Sequence, residues 1–310
     1  MLLASFLPRG ERGRHGRLGV VLAGVPEQLL LDASSVSGLP ATMSDLLDNW
    51  DAHFPRLLAA VEEISRKQPA GGSEALLWPL SDVTLLPPVP RPTKIVCMGF
   101  NYAEHLEEGE TFAASNFPTA FLRSATCLRP HGARVPIPAP TSQFDYEVEL
   151  AVVVGREGKY IPEERAMEHV AGYTVFLDLS ARDIQFPEMK QGMLLLGKNL
   201  DGTAPCGPWL VTADEIPDPH GLGIRCRVNG EERQASNTSH LIFKIPKLVS
   251  YWSQMRLEPG DIIATGTPAG VAAFRKPDPT PFYLKPGDVV EAEVERVGVL
   301  RVEIGERERW

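Results

Sequence analysis

The stretch FDYEVELAVVVG, residues 144–155, sets Glu147 and Glu149 in an otherwise apolar run. Side chains two apart on a strand face the same way. Two carboxylates would then stand side by side, where they repel each other and resist burial. A third acid, Asp178, interrupts the next apolar run, GYTVFLDLS. Each such buried charge costs on the order of several kcal/mol when unpaired. A divalent cation would compensate all three. An all-carboxylate set with water completing the shell suits Mg²⁺ or Mn²⁺, and also Ca²⁺, whereas zinc more often recruits histidine or cysteine. A basic partner for each acid is the other solution, with Arg182 and Lys198 at hand. Spacing alone leaves both open.

Other polar residues collect where apolar runs end. GFNYAEHLEEGE puts His105 three residues before Glu108, on one face if the turn is helical. The carboxylate could orient the imidazole, which could then take a proton from water; such pairs are also ordinary surface contacts. SARDIQ supplies Arg182, Asp183 and Gln185. Arg182 could clamp a substrate carboxylate, or pair with Asp183 or another acid. LLLGKNLDG sets Lys198 behind apolar residues, a setting for an ammonium facing an anionic intermediate. ATGTPAG joins hydroxyls, Thr267 among them, to a glycine-rich turn whose N–H groups could receive an anion. It lacks the GxxxxGK[ST] pattern, and no GxGxxG follows a strand. His15, His53, His131, His169 and His220 have no comparable context.

The elements that must position these groups are mostly strands. The 310-residue chain carries a net charge of −9 and no lysine–arginine cluster, which argues against a nucleic-acid partner. No run of eighteen apolar residues predicts a membrane span. Cys97, Cys127, Cys206 and Cys226 are widely spaced and read as isolated thiols in a reducing, cytoplasmic setting. LLASFL and LGVVLAG predict a hairpin joined by PRGERGRHG, in preference to a targeting leader. ATMSDLLDNWDAHFPRLLAAVEEISRKQ predicts helix, capped by Thr42 or Ser44, divided near Pro55 and ended by Gly71-Gly72. The proline-rich LLPPVPRP marks a boundary between a small N-terminal domain, 1–88, and a β-rich domain, 89–310. Within the latter, IPEERAMEHV and SHLIFKIPKLVSYWSQM predict helices, the second bent near Pro246. Trp50 and Trp252 are expected to pack.

Taken in order, KIVCMGFNYAEH, FDYEVELAVVVG, GYTVFLDLSARDIQ, GKNLDGTAPCGPWL, VNGEERQASNTSHLIF and GDIIATGTPAGV closely resemble the fumarylacetoacetate hydrolase family, over roughly residues 92–304. The resemblance implies a β-rich α+β fold, a mixed β-sandwich roll with a small N-terminal α+β domain, in a homodimer. It implies a Mg²⁺, Mn²⁺ or Ca²⁺ site with ligands Glu147, Glu149 and Asp178. The water-activating pair falls on His105 and Glu108, the catalytic lysine on Lys198, and substrate contacts on Arg182, Gln185 and Thr267. There are departures. Leu177 precedes Asp178 where members commonly have asparagine, and Gly202 stands at the usual threonine, with Thr203 one residue late. The expected reaction is metal-dependent C–C hydrolysis of a small anionic 2,4-dioxo acid, acylpyruvate- or fumarylacetoacetate-like, through a pyruvate-type enolate, in aromatic or sugar-acid catabolism. Alternatives are decarboxylation of an oxaloacetate-like 2-oxo acid, isomerisation of a 2-hydroxy-diene-dioate and, remotely, a non-catalytic scaffold. Loops 106–117 and 186–196 are expected to shape specificity.

Overall fold

The computed structural model describes residues 1–13, 16–22, 28–67, 77–109 and 115–310. His15, Gly71-Gly72 and residues 110–114 of the expected specificity loop lie outside these. The strand Val148–Val154 is buried along its whole length, which explains its unbroken valine–leucine pattern. It lies antiparallel between Val170–Leu177 and Ile262–Ala264 at the centre of a large sheet. Alternate residues serve two cores. Val148, Leu150, Val152 and Val154 face a second, five-stranded sheet through Ile224, Val290 and Leu300. Ala151 and Val153 share the opposite core with Met43, Leu46 and Leu57 of the N-terminal helices. The architecture is thus the expected β-rich α+β sandwich. Each buried valine or leucine contributes about 1.5–3 kcal/mol, enough in sum to offset one costly carboxylate in the same strand.

The N-terminal hairpin forms as expected, Leu2–Pro8 against Arg17–Leu22. Leu2–Pro8 also pairs with Ala204–Thr212, so one hydrogen-bonded sheet runs across the 88/89 position. Thr42 caps the helix Met43–Asp48 through a capping box with Asp45. The break before the next helix, Trp50–Lys67, falls at Asn49, and Pro55 lies inside that helix rather than dividing it. Trp50 packs as expected, stacked on Phe54 at 4.5 Å.

Two expected helices differ. Residues Glu163–His169 form 3₁₀ turns. Pro246 opens the α-helix Ile245–Trp252 instead of bending a longer one; in the first turn its missing N–H deprives no carbonyl of a partner. The expected 186–196 loop is helical as far as Lys190, within the helix Arg182–Lys190. All four cysteines are free and buried. Among the described residues, no helix is long and apolar enough to cross a membrane.

Gly172 marks the tightest strand contact near the centre: a Cβ there would lie 2.1 Å from the Val211 carbonyl oxygen. Gly172→Ala is therefore expected to force the Val170–Leu177 and Ala204–Thr212 strands apart and destabilise the fold by roughly 1–3 kcal/mol. Thermal unfolding checks this; an unchanged midpoint would contradict it.

Candidate metal centre and active site

Strand register brings the three acids together. Val148 pairs with Leu177 and Glu149 with Phe176, so Glu147 just before one strand meets Asp178 just after the other, and the Asp178 N–H donates to the Glu147 carbonyl at 2.9 Å. Glu147, Glu149 and Asp178 each offer a carboxylate oxygen within 4.8 Å of the others, and all three side chains are buried. Ile262–Ala264 runs parallel to Ile95–Met98, which sends the Gly99–Asn101 and Thr265–Thr267 turns to the same end of the sheet. There the Gly266 N–H donates to Glu149 Oε2 at 2.8 Å. Gly266 has φ +97°, a conformation glycine adopts without strain.

Basic partners and a metal set coexist. Lys198 Nζ donates to Glu147 Oε2 at 2.6 Å and to Asp178 Oδ2 at 2.9 Å. Arg182 donates through Nη2 to Glu147 Oε1 at 2.6 Å and through Nε to Asp145 Oδ2 at 2.8 Å. Arg123 Nη1 pairs with Asp178 Oδ1. Burial alone pushes the Glu147 carboxyl up, but Lys198 and Arg182 beside it overcome this and hold it at about 2. Glu149 has no such partner. Burial, reinforced by the charges of Asp178 and Glu147, pushes its carboxyl well above the usual carboxylate range. Asp145, Glu147, Glu149 and Asp178 face three buried cations, Arg123, Arg182 and Lys198. Among the described residues Glu149 is the acid of this set that no basic side chain pairs with, so its charge, when ionised, is the one left unmet. An oxygen-only donor set with that deficit fits a hard divalent cation, which Glu147, Glu149 and Asp178 would hold.

The pocket over this cluster is lined by His105, Arg182, Gln185, Lys198 and Thr267 besides Glu147 and Glu149. His105 and Glu108 lie on the short helix Ala103–Glu108 and pair through Nδ1 and Oε1 at 2.8 Å. The Gly270 N–H fixes the other Glu108 oxygen at 2.9 Å. With Nδ1 engaged, Nε2 is the nitrogen left for proton transfer. Phe100 stacks on the imidazole with centroids 5.4 Å apart and Phe274 lies tilted against it at 5.6 Å, forming an apolar wall.

Lys198 ends the 3₁₀ turn Leu196–Lys198. One carboxylate holds that turn: Glu188 accepts the N–H groups of Leu195, Leu196 and Gly197 at 3.1, 2.8 and 3.1 Å. Gly197 lies so close to the helix Arg182–Lys190 that a Cβ would fall 2.6 Å from the Gln185 backbone.

The structure gathers every expected site residue at one end of the sheet, but the three expected substrate contacts are already engaged. Arg182 uses three of its five N–H groups internally, the third on Gln185 Oε1 at 2.9 Å. Thr267 Oγ1 donates to the Val148 carbonyl at 2.9 Å and accepts from Gln234 Nε2 at 2.8 Å. Arg182 does not pair with Asp183, which instead binds Thr141 and Ser142.

Sequence reasoning missed Arg123, Asp145, Glu188 and Gln234. Asp145 left a signal: it continues the alternation of Glu147 and Glu149 one step earlier. It also accepts the Ala272 and Ala273 N–H groups at 2.7 and 3.0 Å, which ties down the turn bearing Phe274. Arg123 showed only as a charge ending a short apolar run. Glu188 acts on the backbone of the turn that follows its helix, and Gln234 on Val148, Thr267 and Pro268 from a separate strand, contacts that no spacing reveals.

The chain is similar to known proteins in sequence and in fold. The family model for the fumarylacetoacetate (FAA) hydrolase C-terminal domain matches residues 94–305. Oxaloacetate tautomerase FAHD2A, mitochondrial, of Bos taurus is 44% identical over 263 residues, 84% of this chain and 79% of that protein. Oxaloacetate tautomerase YisK of Bacillus subtilis (strain 168) is 41% identical over 243 residues, 77% of this chain and 79% of that protein. Among solved structures, maleylpyruvate hydrolase from Sphingobium sp. SYK-6, in complex with manganese(II) and pyruvate, superposes with TM-score 0.77 at 28% identity, covering 99% of this chain and 100% of that one. A match over more than half the chain, joined to a buried carboxylate triad at the register the motifs demand, places this protein in the fumarylacetoacetate hydrolase family.

Proposed function

We propose that this chain is a divalent-metal-dependent enzyme that interconverts the enol and keto forms of a small 2-oxo dicarboxylic acid, with oxaloacetate as the leading substrate. The observation that carries this reading is the lining of one pocket by both a carboxylate-backed imidazole and a buried ammonium. Tautomerisation needs a base for a carbon-bound proton and positive charge for the resulting enolate oxygen. The name borne by relatives at 44% and 41% identity supports it. The C–C hydrolysis expected from sequence finds its support in a more distant hydrolase, at 28% identity. Proton transfer, the chemistry of the isomerase alternative, therefore takes precedence.

Held by Glu147, Glu149 and Asp178, Mg²⁺ or Mn²⁺ would supply Lewis-acid stabilisation of negative charge on the substrate oxygens. From the keto form, His105 Nε2 takes a proton from C3, and the C–H electron pair becomes the C2=C3 double bond. The C2 oxygen gains the former carbonyl π pair and takes up a proton from the His105 imidazolium, which gives the enol and restores the neutral base. Glu108 stabilises the imidazolium formed on His105. The Lys198 ammonium faces the developing oxyanion in a site shielded from water. The two Arg182 N–H groups left over, with the Gln185 amide, are placed to orient a substrate carboxylate. The phenylalanines beside His105 keep bulk water from the carbon acid.

In deuterated buffer with Mg²⁺ or Mn²⁺, the protein is expected to accelerate enol–keto interconversion of oxaloacetate, with deuterium entering C3 above the uncatalysed rate. Release of pyruvate and CO₂, or cleavage of acylpyruvates with solvent ¹⁸O in the released acid, in place of that exchange would transfer the assignment to decarboxylation or hydrolysis.

His105→Ala is expected to lower kcat by about 10²–10⁴-fold, and Lys198→Met by about 10²-fold or more, with metal still bound in the His105 variant. Normal turnover in either would remove that residue from the mechanism.

Chelation by EDTA is expected to abolish exchange, and Mn²⁺ to restore it. Glu149→Gln should weaken Mn²⁺ binding in a direct titration, because it removes the carboxylate with the unmet charge. Full activity after exhaustive chelation would contradict the metal requirement.

A further inference from the structure

The threonine displaced in the sequence, Thr203 in place of a threonine at 202, has a structural partner. Gly202 has φ +76°, and a Cβ there would lie 2.8 Å from the Arg129 guanidinium. A threonine at 202 would be strained and would displace that arginine. The hydroxyl at 203 instead reaches Arg123. Arg123 is buried and forked: Nη1 donates to Asp178 Oδ1 and Nη2 to Thr203 Oγ1. Thr203 Oγ1 in turn donates to the Leu200 carbonyl at 2.6 Å, and the Thr203 carbonyl accepts the Leu179 N–H at 3.1 Å. Asp178 is thereby held on both sides, its Oδ1 by Arg123 and its Oδ2 by Lys198. Arg123 Nε is buried with no partner, so the guanidinium is committed through its two terminal nitrogens.

We propose that Arg123 and Thr203 act as a positioning pair that fixes the Asp178 carboxylate for metal binding, the Thr203 hydroxyl setting the rotation of the guanidinium fork. A simple ion pair would need only the positive charge near Asp178. The fork needs both arms, because a planar guanidinium anchored at one nitrogen can still pivot. Partners one layer behind a ligand commonly control metal affinity by orienting it. This inference rests on the metal reading of Glu147, Glu149 and Asp178.

The test is direct Mn²⁺ titration of the whole protein by electron paramagnetic resonance, with thermal unfolding as the folding control and kcat measured at saturating Mn²⁺. Arg123→Lys keeps the charge and loses the second arm; Mn²⁺ affinity is expected to fall about 10-fold or more, while kcat at saturating Mn²⁺ falls less. Thr203→Val is expected to weaken Mn²⁺ in the same direction. The double variant is expected to bind no more weakly than Arg123→Lys alone, since a lysine has no planar fork whose rotation the hydroxyl could set. Wild-type Mn²⁺ affinity in Thr203→Val, or losses that add in the double variant, would overturn the pairing; Thr203→Val alone decides the matter if Arg123→Lys does not fold. A wild-type protein that binds no Mn²⁺ would instead remove the metal reading itself, and this inference with it.

Discussion

Charge compensation inside an apolar sheet governs this molecule. Asp145, Glu147, Glu149 and Asp178 are buried in or beside strands that are otherwise mostly apolar. Arg123, Arg182 and Lys198 answer all but one of their charges. Removing a single partner from such a network leaves a charge in low dielectric, which costs far more than the intact pair contributes. The network therefore specifies where strand ends, helix and turn must sit. Arg182 fixes the start of its helix against Asp145 and Glu147, and Lys198 fixes the turn that follows. The deficit left on Glu149 is the chemical reason for a metal.

The remaining active-site geometry is built around that cluster by backbone donors. Gly266 reaches Glu149, Gly270 reaches Glu108, and Ala272 with Ala273 reaches Asp145. All four come from the segment after the strand Ile262–Ala264, so one stretch of chain carries the ligand support, the support of the base and the aromatic wall. Glycine is required at 266 and 270, where φ is +97° and +105°. This glycine-rich turn thus serves as a row of N–H donors to acids already in the protein. The ATGTPAG turn, expected to receive an anion through its N–H groups, receives the carboxylates of Glu149 and Glu108.

The family resemblance and the structure bring the same residues to one pocket, and neither by itself selects the reaction. A carboxylate-backed imidazole can take a proton from water or from carbon, and its sequence signature is identical in both cases. Hydrolysis and tautomerisation differ in whether a second reactant must fit beside the substrate. That depends on the volume and wetness of the pocket, set by Phe100, Phe186 and Phe274 from three separate segments.

What the sequence by itself determined follows from local periodicity. Alternation placed Glu147 and Glu149 on one face, the continuous apolar run marked the central strand, and Thr42 announced its helix, because each signal acts within a few residues. The helix-forming pattern of IPEERAMEHV and the prolines at 55 and 246 misled for the same reason: packing decided where these elements began and ended. Only the tertiary structure decided that Asp178 would meet Glu147 across a strand pair, and that Arg123 would reach Thr203 eighty positions away. It alone set Glu188 beneath the turn that carries Lys198. Those contacts depend on register and on how strand ends and turns converge, and a one-residue shift in either would have left the same residues in the sequence with no site between them.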